Sequence, residues 1–196
     1  MQKILLLTGM TPDHRIFDRL LPLLPTAIAV DWIPPIANES IASYAARLSR
    51  TLYHEGPVVV CGVSFGGIVA RELASCLNAT SCVLISSVRS PRELPPWIRI
   101  FRVVAPRPAE AIMRTIGAIA AYWPRRLKSS STWRLMKLGG KSGQWHRWAT
   151  AAVLNWKLSK GAERIRSIHI HGDRDATFPL RYTSADTVIH GGGHVL

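Results

Sequence analysis

Short apolar runs alternate with helix-spaced apolar stripes along most of the chain. Lys3–Leu7 is an apolar run ending at Thr8-Gly9, which predicts a strand and a turn. Ile16, Phe17, Leu20 and Leu21 are spaced as one helix face and stop at Pro22. Ala27–Trp32 is β-like as far as Pro34-Pro35. Asn38-Glu39-Ser40 forms a helix start, and Ile41, Tyr44, Ala45, Leu48 and Leu52 mark the buried stripe behind it. Pro57–Cys61 is continuously apolar, as suits a strand buried on both faces. Gly62 to Gly67 reads as a sharp turn, and Ile68–Leu77 as the helix after it. Cys82–Ser86, Ser167–His171 and Thr187–Ile189 read as further strands. Strand–helix alternation of this kind implies the α/β class: a mainly parallel sheet flanked by helices on both faces.

The alternation breaks between Arg89 and about Lys160. Prolines cluster there at 91, 95, 96, 106, 108 and 124, and the apolar residues between them read as helices. A chain of 196 residues suits a single domain, 1–196, with 89–160 as a helical cap or lid inserted within it. Charge sharpens this division. The segment holds 15 of the 25 Lys and Arg but only 2 of the 12 acids, so the whole net charge of +13 lies in it. It also holds six of the seven tryptophans: Trp97, Trp123, Trp133, Trp145, Trp148 and Trp156. Two readings stand side by side. The tryptophans line an apolar acyl pocket and the cations favour an anionic substrate or surface, or the tryptophans are lid core and the cations a solvated face. Arg125-Arg126 with Lys128 suits nonspecific contact with nucleic acid, but no recognised nucleic-acid motif is present.

Three cysteines, Cys61, Cys76 and Cys82, give neither a disulfide framework nor metal-ligand spacing. They point to a reducing, cytoplasmic setting. The opening apolar run, Ile4–Leu7, is shorter than the roughly 7–15 residues of a signal-peptide core. No run approaches the ~20 apolar residues of a membrane span.

The chemistry-bearing residues follow the predicted strands. Gly62-Val63-Ser64-Phe65-Gly66 matches G-x-S-x-G between a buried strand and a helix. A nucleophilic serine needs such a turn to present its oxygen. Small residues at Gly62 and Gly66 prevent backbone clashes, and the helix N-terminus favours developing negative charge. Downstream, Asp173 and Asp175 lie in a loop after His171, and His194 closes the run His190-Gly191-Gly192-Gly193. Taken singly, either aspartate fits an Asx-turn and His194 a surface histidine. Together, serine, acid and histidine on loops after parallel strands share one sheet edge, where ligands bind.

These elements resemble the α/β-hydrolase superfamily over nearly the whole chain. His171-Gly172-Asp173-Arg174-Asp175…Pro179 is similar to its H-G-x-x-D-x-x-x-P acid loop, and Gly191-Gly192-Gly193-His194 to its G-G-H base loop. Thr8-Gly9-Met10-Thr11-Pro12-Asp13-His14-Arg15-Ile16-Phe17 resembles the oxyanion loop of small bacterial members, often S-G-x-G-A-D-x-R-x-F. Asp31-Trp32-Ile33-Pro34 and Leu154-Asn155-Trp156-Lys157 resemble the same members. The resemblance implies an α/β-hydrolase fold and a serine hydrolase acting on a carboxylic ester or thioester. Ser64 would be the nucleophile, His194 the base and Asp175, rather than Asp173, the acid. The backbone N–H groups of Met10 and Phe65 would form the oxyanion hole, with no metal or cofactor and a small acyl compound as substrate. Thr11 stands where glycine is common, so a tighter oxyanion loop is expected. The chain ends two residues after His194, so the family's C-terminal closing helix is expected to be missing. An uncovered apolar sheet face would then favour pairing. Three rivals stay open: a lyase or haloperoxidase-like enzyme on the same scaffold, a non-catalytic hydrolase-like binding protein, and a basic lid docking on anionic membrane or nucleic acid.

Overall fold

A computed structural model describes residues 1–99 and 143–196. Most of the expected cap, Trp123, Trp133 and the Arg125, Arg126 and Lys128 cluster included, lies outside the described residues. Among the described residues six strands form one sheet: β1 (Lys3–Leu7), β2 (Ala27–Ala29), β3 (Val58–Val63), β4 (Ser81–Ile85), β5 (Ser167–Gly172) and β6 (Thr187–Ile189). Their order is β2-β1-β3-β4-β5-β6, and every neighbouring pair is parallel. Helices of the described residues include α1 (Ile41–Ser49), α2 (Phe65–Cys76), α3 (Gly143–Leu154) and α4 (Lys160–Arg164). Among the described residues, no helix is long and apolar enough to cross a membrane.

The alternation of side chains along each strand divides the core in two. Leu5 and Leu7 of β1, Val58 and Val60 of β3, and Cys82 and Leu84 of β4 face α1, α2 and α3 in the main cluster. Leu6, Cys61 and Val63 point the other way, against Phe17, with Ile16, Leu20 and Leu21 packed beside them. The stripe from Ile16 to Leu21 therefore lands on the sheet as its spacing predicts, but not as one helix. It forms two 3-10 turns, His14–Phe17 and Leu21–Leu23. Pro22 has no N–H to give and its ring would strike the carbonyl four residues back, so an α-helical ladder cannot continue through it.

Ser40 caps α1 by accepting the Ser43 N–H, and Ser159 caps α4 by accepting that of Ala162. Glu72 of α2 is buried, and its Oε1 accepts both the Trp156 indole N–H (3.2 Å) and the Ser159 amide (3.1 Å). That contact ties the chain after α3 onto the middle of α2. Trp145, Trp148 and Trp156, three tryptophans of the segment expected as cap, are buried in the main cluster. These three therefore pack on the sheet's own core, and Trp145 also lines a pocket beside the β1 loop. The Trp148 indole N–H also donates to the Glu39 carbonyl at 2.9 Å, and its ring lies 4.4 Å from that of Tyr44.

Register aligns the sheet's C-terminal edge. Leu7 is opposite Gly62, Val63 opposite Ile85, Ile85 opposite Ile170, and Gly172 opposite Ile189. The loops that follow β1, β3, β5 and β6 consequently emerge side by side.

Candidate active site

Ser64 joins β3 to α2 with no other residue between them. The turn expected over Gly62 to Gly67 is thus tighter: Gly62 and Val63 remain in the strand, and Phe65 already opens the helix. Ser64 carries the whole reversal at φ 55° and ψ −121°, a conformation that strains any residue with a Cβ. Surrounding groups hold it there. Its N–H donates to the Ile85 carbonyl at 2.9 Å, and its own carbonyl accepts the Gly67 N–H (3.0 Å) and the Ser87 hydroxyl (2.6 Å). The flanking glycines are required by close approach. A Cβ on Gly62 would run into the backbone of Gly66 and Gly67, and one on Gly66 into the carbonyls of Leu7 and Thr8.

The loops after β5 and β6 meet this turn. His194 Nε2 lies 2.8 Å from Ser64 Oγ, and His194 Nδ1 lies 2.8 Å from Asp175 Oδ2. Asp175 is 3% exposed, and its other oxygen accepts the amides of Thr177 (2.8 Å) and Phe178 (2.9 Å). With Oδ1 so occupied, Oδ2 is left for the imidazole. A carboxylate fixed in this way favours the His194 tautomer with its proton on Nδ1, which leaves Nε2 free to accept from the serine. The Phe178 ring packs on the His194 ring at 5.6 Å. Asp173, the other aspartate of the loop, faces outward and pairs with His190 at 3.1 Å. The two loops touch because Gly172 has no side chain: a Cβ there would meet the Gly192 and Gly193 carbonyls.

The loop after β1 lies against the same turn. An added Cβ on Gly9 would stand 3.5 Å from Ser64 Cβ. The Met10 carbonyl accepts the Trp145 indole N–H at 2.7 Å, and the Thr8 hydroxyl accepts that of Trp32 at 2.7 Å. Asp13 is clamped by Arg15, whose guanidinium bonds both carboxylate oxygens and holds the acid below its ordinary value. Phe65, first residue of α2, carries an N–H that the helix leaves without an internal acceptor. Beside this loop opens a pocket of about 500 Å³, floored by Trp32 and Trp145 and rimmed by His14, Arg15 and Asp31.

The structure thus brings Ser64, His194 and Asp175 into one hydrogen-bonded line and sets the Met10 loop and Phe65 beside it. It leaves Asp173 out. The sequence reading missed Ser87, and it named Thr8, Trp32 and Trp145 without the bonds their side chains make, because those bonds join loops distant in sequence. It also missed His169, buried behind His171. Burial pushes the Cys61 and Cys82 thiols up to about 12, so neither supplies a thiolate near neutral pH.

Residues 4–196 match the sequence family described as the alpha/beta hydrolase family. The chain belongs to that family. Solved structures agree at the level of fold. A hydrolase from Pseudomonas aeruginosa PA01 is 17% identical with a TM-score of 0.66, over 99% of this chain and 83% of that one. An esterase from Thermogutta terrifontis is 20% identical with a TM-score of 0.61, over 100% and 83%. The NocB thioesterase domain, solved as a covalent complex with a fluorophosphonate nocardicin G analogue, is 19% identical with a TM-score of 0.59, over 99% and 86%. A short stretch of 42 residues is 48% identical to atromentin synthetase invA2 from Paxillus involutus, and the match spans 4% of that much longer protein.

Proposed function

We propose that this member of the alpha/beta hydrolase family is a serine hydrolase that cleaves a carboxylic ester or thioester through an acyl-enzyme on Ser64. The observation carrying this reading is the unbroken line from Asp175 Oδ2 through both ring nitrogens of His194 to Ser64 Oγ, each link 2.8 Å. Packing alone gives no reason to hold a serine at a positive φ with a half-buried imidazole on its oxygen.

In this mechanism Ser64 Oγ attacks the acyl carbonyl as its proton passes to His194 Nε2. Asp175 holds the ring and stabilises the imidazolium that forms. The carbonyl oxygen becomes an oxyanion and accepts the N–H groups of Met10 and Phe65, where the α2 N-terminus adds its positive end. Collapse of the tetrahedral intermediate breaks the bond to the alcohol or thiol, which leaves with the proton from His194. Water then attacks the acyl-enzyme by the same route and regenerates Ser64. Segment 89–160 is proposed as the cap over this edge, its cations favouring an anionic substrate or surface and its apolar residues an apolar acyl group. The free cysteines fit action in the cytoplasm.

The test is hydrolysis of esters and thioesters of graded acyl length by the purified chain and by Ser64→Ala. Turnover by the wild type that the variant loses supports the reading. A folded wild type that turns over none of them, or a variant as active as the wild type, overturns it.

A further inference from the structure

The stretch that leads from β1 to the proposed oxyanion donor has little of its own to hold it. Gly9 has no side chain, so its backbone turns more freely than that of any other residue. Among the described residues no backbone–backbone hydrogen bond holds Gly9 or Met10. The Thr8 hydroxyl stands 3.5 Å from the Gly9 carbonyl, too long a contact to fix a peptide. An N–H that must meet a developing oxyanion needs its direction fixed before the reaction starts.

Two indoles supply that direction from outside the loop. Trp32, after β2, donates its Nε1–H to the Thr8 hydroxyl at 2.7 Å. Trp145, on α3, donates its Nε1–H to the Met10 carbonyl at 2.7 Å. The Gly9–Met10 peptide, whose N–H is the proposed donor, lies between these two anchors. Thr8 is fully buried and Trp145 is 5% exposed, so water competes little for either bond. The same rings reach the other side of the hole. The Trp145 ring stands edge-on to that of Phe65 with centroids 5.8 Å apart, and the Trp32 ring also lies 5.8 Å from Phe65. A buried indole N–H needs an acceptor wherever it lies. Trp148 and Trp156 find theirs at Glu39 and Glu72, neither of which is in the β1 loop. Trp32 and Trp145 direct theirs to the residues on either side of Gly9.

We infer that Trp32 and Trp145 are positioning residues for the oxyanion hole, aiming the Met10 N–H by holding the chain on both sides of it. The inference rests on the role proposed above for Met10. Without the Trp145 bond the Met10–Thr11 peptide can turn, and the N–H of Met10 turns with it. That N–H then meets the oxyanion out of line, which slows the chemical step without changing how the substrate binds.

The test compares para-nitrophenyl esters of graded acyl length with their thionoesters, in the wild type, Trp145→Phe, Trp32→Phe and Trp148→Phe. A thionoester carries sulfur in place of the carbonyl oxygen. Sulfur accepts hydrogen bonds weakly, so the thionoester gains little from the hole while using Ser64 and His194 in the same way. Trp145→Phe and Trp32→Phe keep an aromatic ring and remove the N–H. Each is expected to lower kcat on the ester about tenfold with KM unchanged, and to leave thionoester cleavage nearly as it was. The preference for the ester then shrinks by the same factor. Trp148→Phe removes a buried indole bond of the same kind and is expected to keep the full preference. Urea unfolding establishes that each variant is folded. Trp32 is half-buried, so its variant serves if Trp145→Phe does not fold. A folded Trp145→Phe or Trp32→Phe in which both substrates slow together, or neither slows, overturns the inference. So does a Trp148→Phe that loses the preference equally. A wild type that cleaves no ester overturns the hydrolase reading and this inference with it. Ester cleavage that Ser64→Ala loses and Trp145→Phe keeps in full overturns this inference alone.

Discussion

At the scale of single residues, the candidate site is a set of groups each held by a partner outside the reacting line. Asp175 presents one oxygen because two amides occupy the other. Replacing it by Asn reverses the donor at that position and favours the wrong His194 tautomer. A fall in kcat of about 10⁴-fold is expected, with the fold unchanged by circular dichroism. Ser87→Ala removes the hydroxyl that accompanies the strained Ser64 carbonyl. A loss of about 1 kcal/mol in urea unfolding is expected, because the Gly67 amide still serves that carbonyl. Ser64, Asp175 and His194 were legible in the sequence because their chemistry repeats as a local pattern: G-x-S-x-G, the H-G-x-x-D loop and G-G-H. The choice of Asp175 over Asp173 came from the family spacing, and burial gives its physical counterpart: Asp175 points inward and Asp173 out to His190. Ser87 was not legible, since it matters only through its bond to the Ser64 carbonyl, which the fold brings near.

At the scale of elements, the strands were the best-read part of the chain. β1, β3, β4, β5 and β6 each lie within two residues of the range expected from apolar runs. Helices were read well where a stripe met a cap, as at Ser40 and α1. The reading failed where proline broke the backbone ladder beneath an intact stripe, at residues 14–23. It also placed the start of α2 three residues late. A strained single-residue turn leaves no polar spacer to mark it. The junction of α2 with its neighbours gives two expectations. Gly66→Ala puts a methyl group against the carbonyls of Leu7 and Thr8, and Leu7 cannot retreat without disturbing its pairing with Gly62 of β3. A loss of about 3 kcal/mol is expected in urea unfolding. Glu72→Ala leaves the Trp156 and Ser159 donors unpaired beside α2, and a loss of about 2–4 kcal/mol is expected by the same measurement.

At the scale of the whole molecule, the sheet edge gathers three loops around Ser64, and the buried His169 behind it makes stability depend on pH. Burial, followed by the adjacent His171 ring, pushes the His169 imidazole down to about 4 from its ordinary 6.5. The unfolded chain therefore takes up a proton at higher pH than the folded one. The resulting stability is fully present above pH 6.5 and declines as pH falls toward 4, by on the order of 3 kcal/mol. Urea unfolding at pH 7, 5.5 and 4.5 checks this, and equal stabilities across that range would contradict it. The window lies above the ordinary carboxylate range of Asp13 and Asp186.

The central claim is that the line from Asp175 through His194 activates Ser64. Its most direct test is reaction of the purified chain with a fluorophosphonate probe and location of the adduct by mass spectrometry, beside Ser64→Ala and His194→Ala. The expected result is a single adduct on Ser64 in the wild type and none in either variant. A folded wild type that takes no label, or a label on Ser64 that persists in His194→Ala at the wild-type rate, would contradict the account.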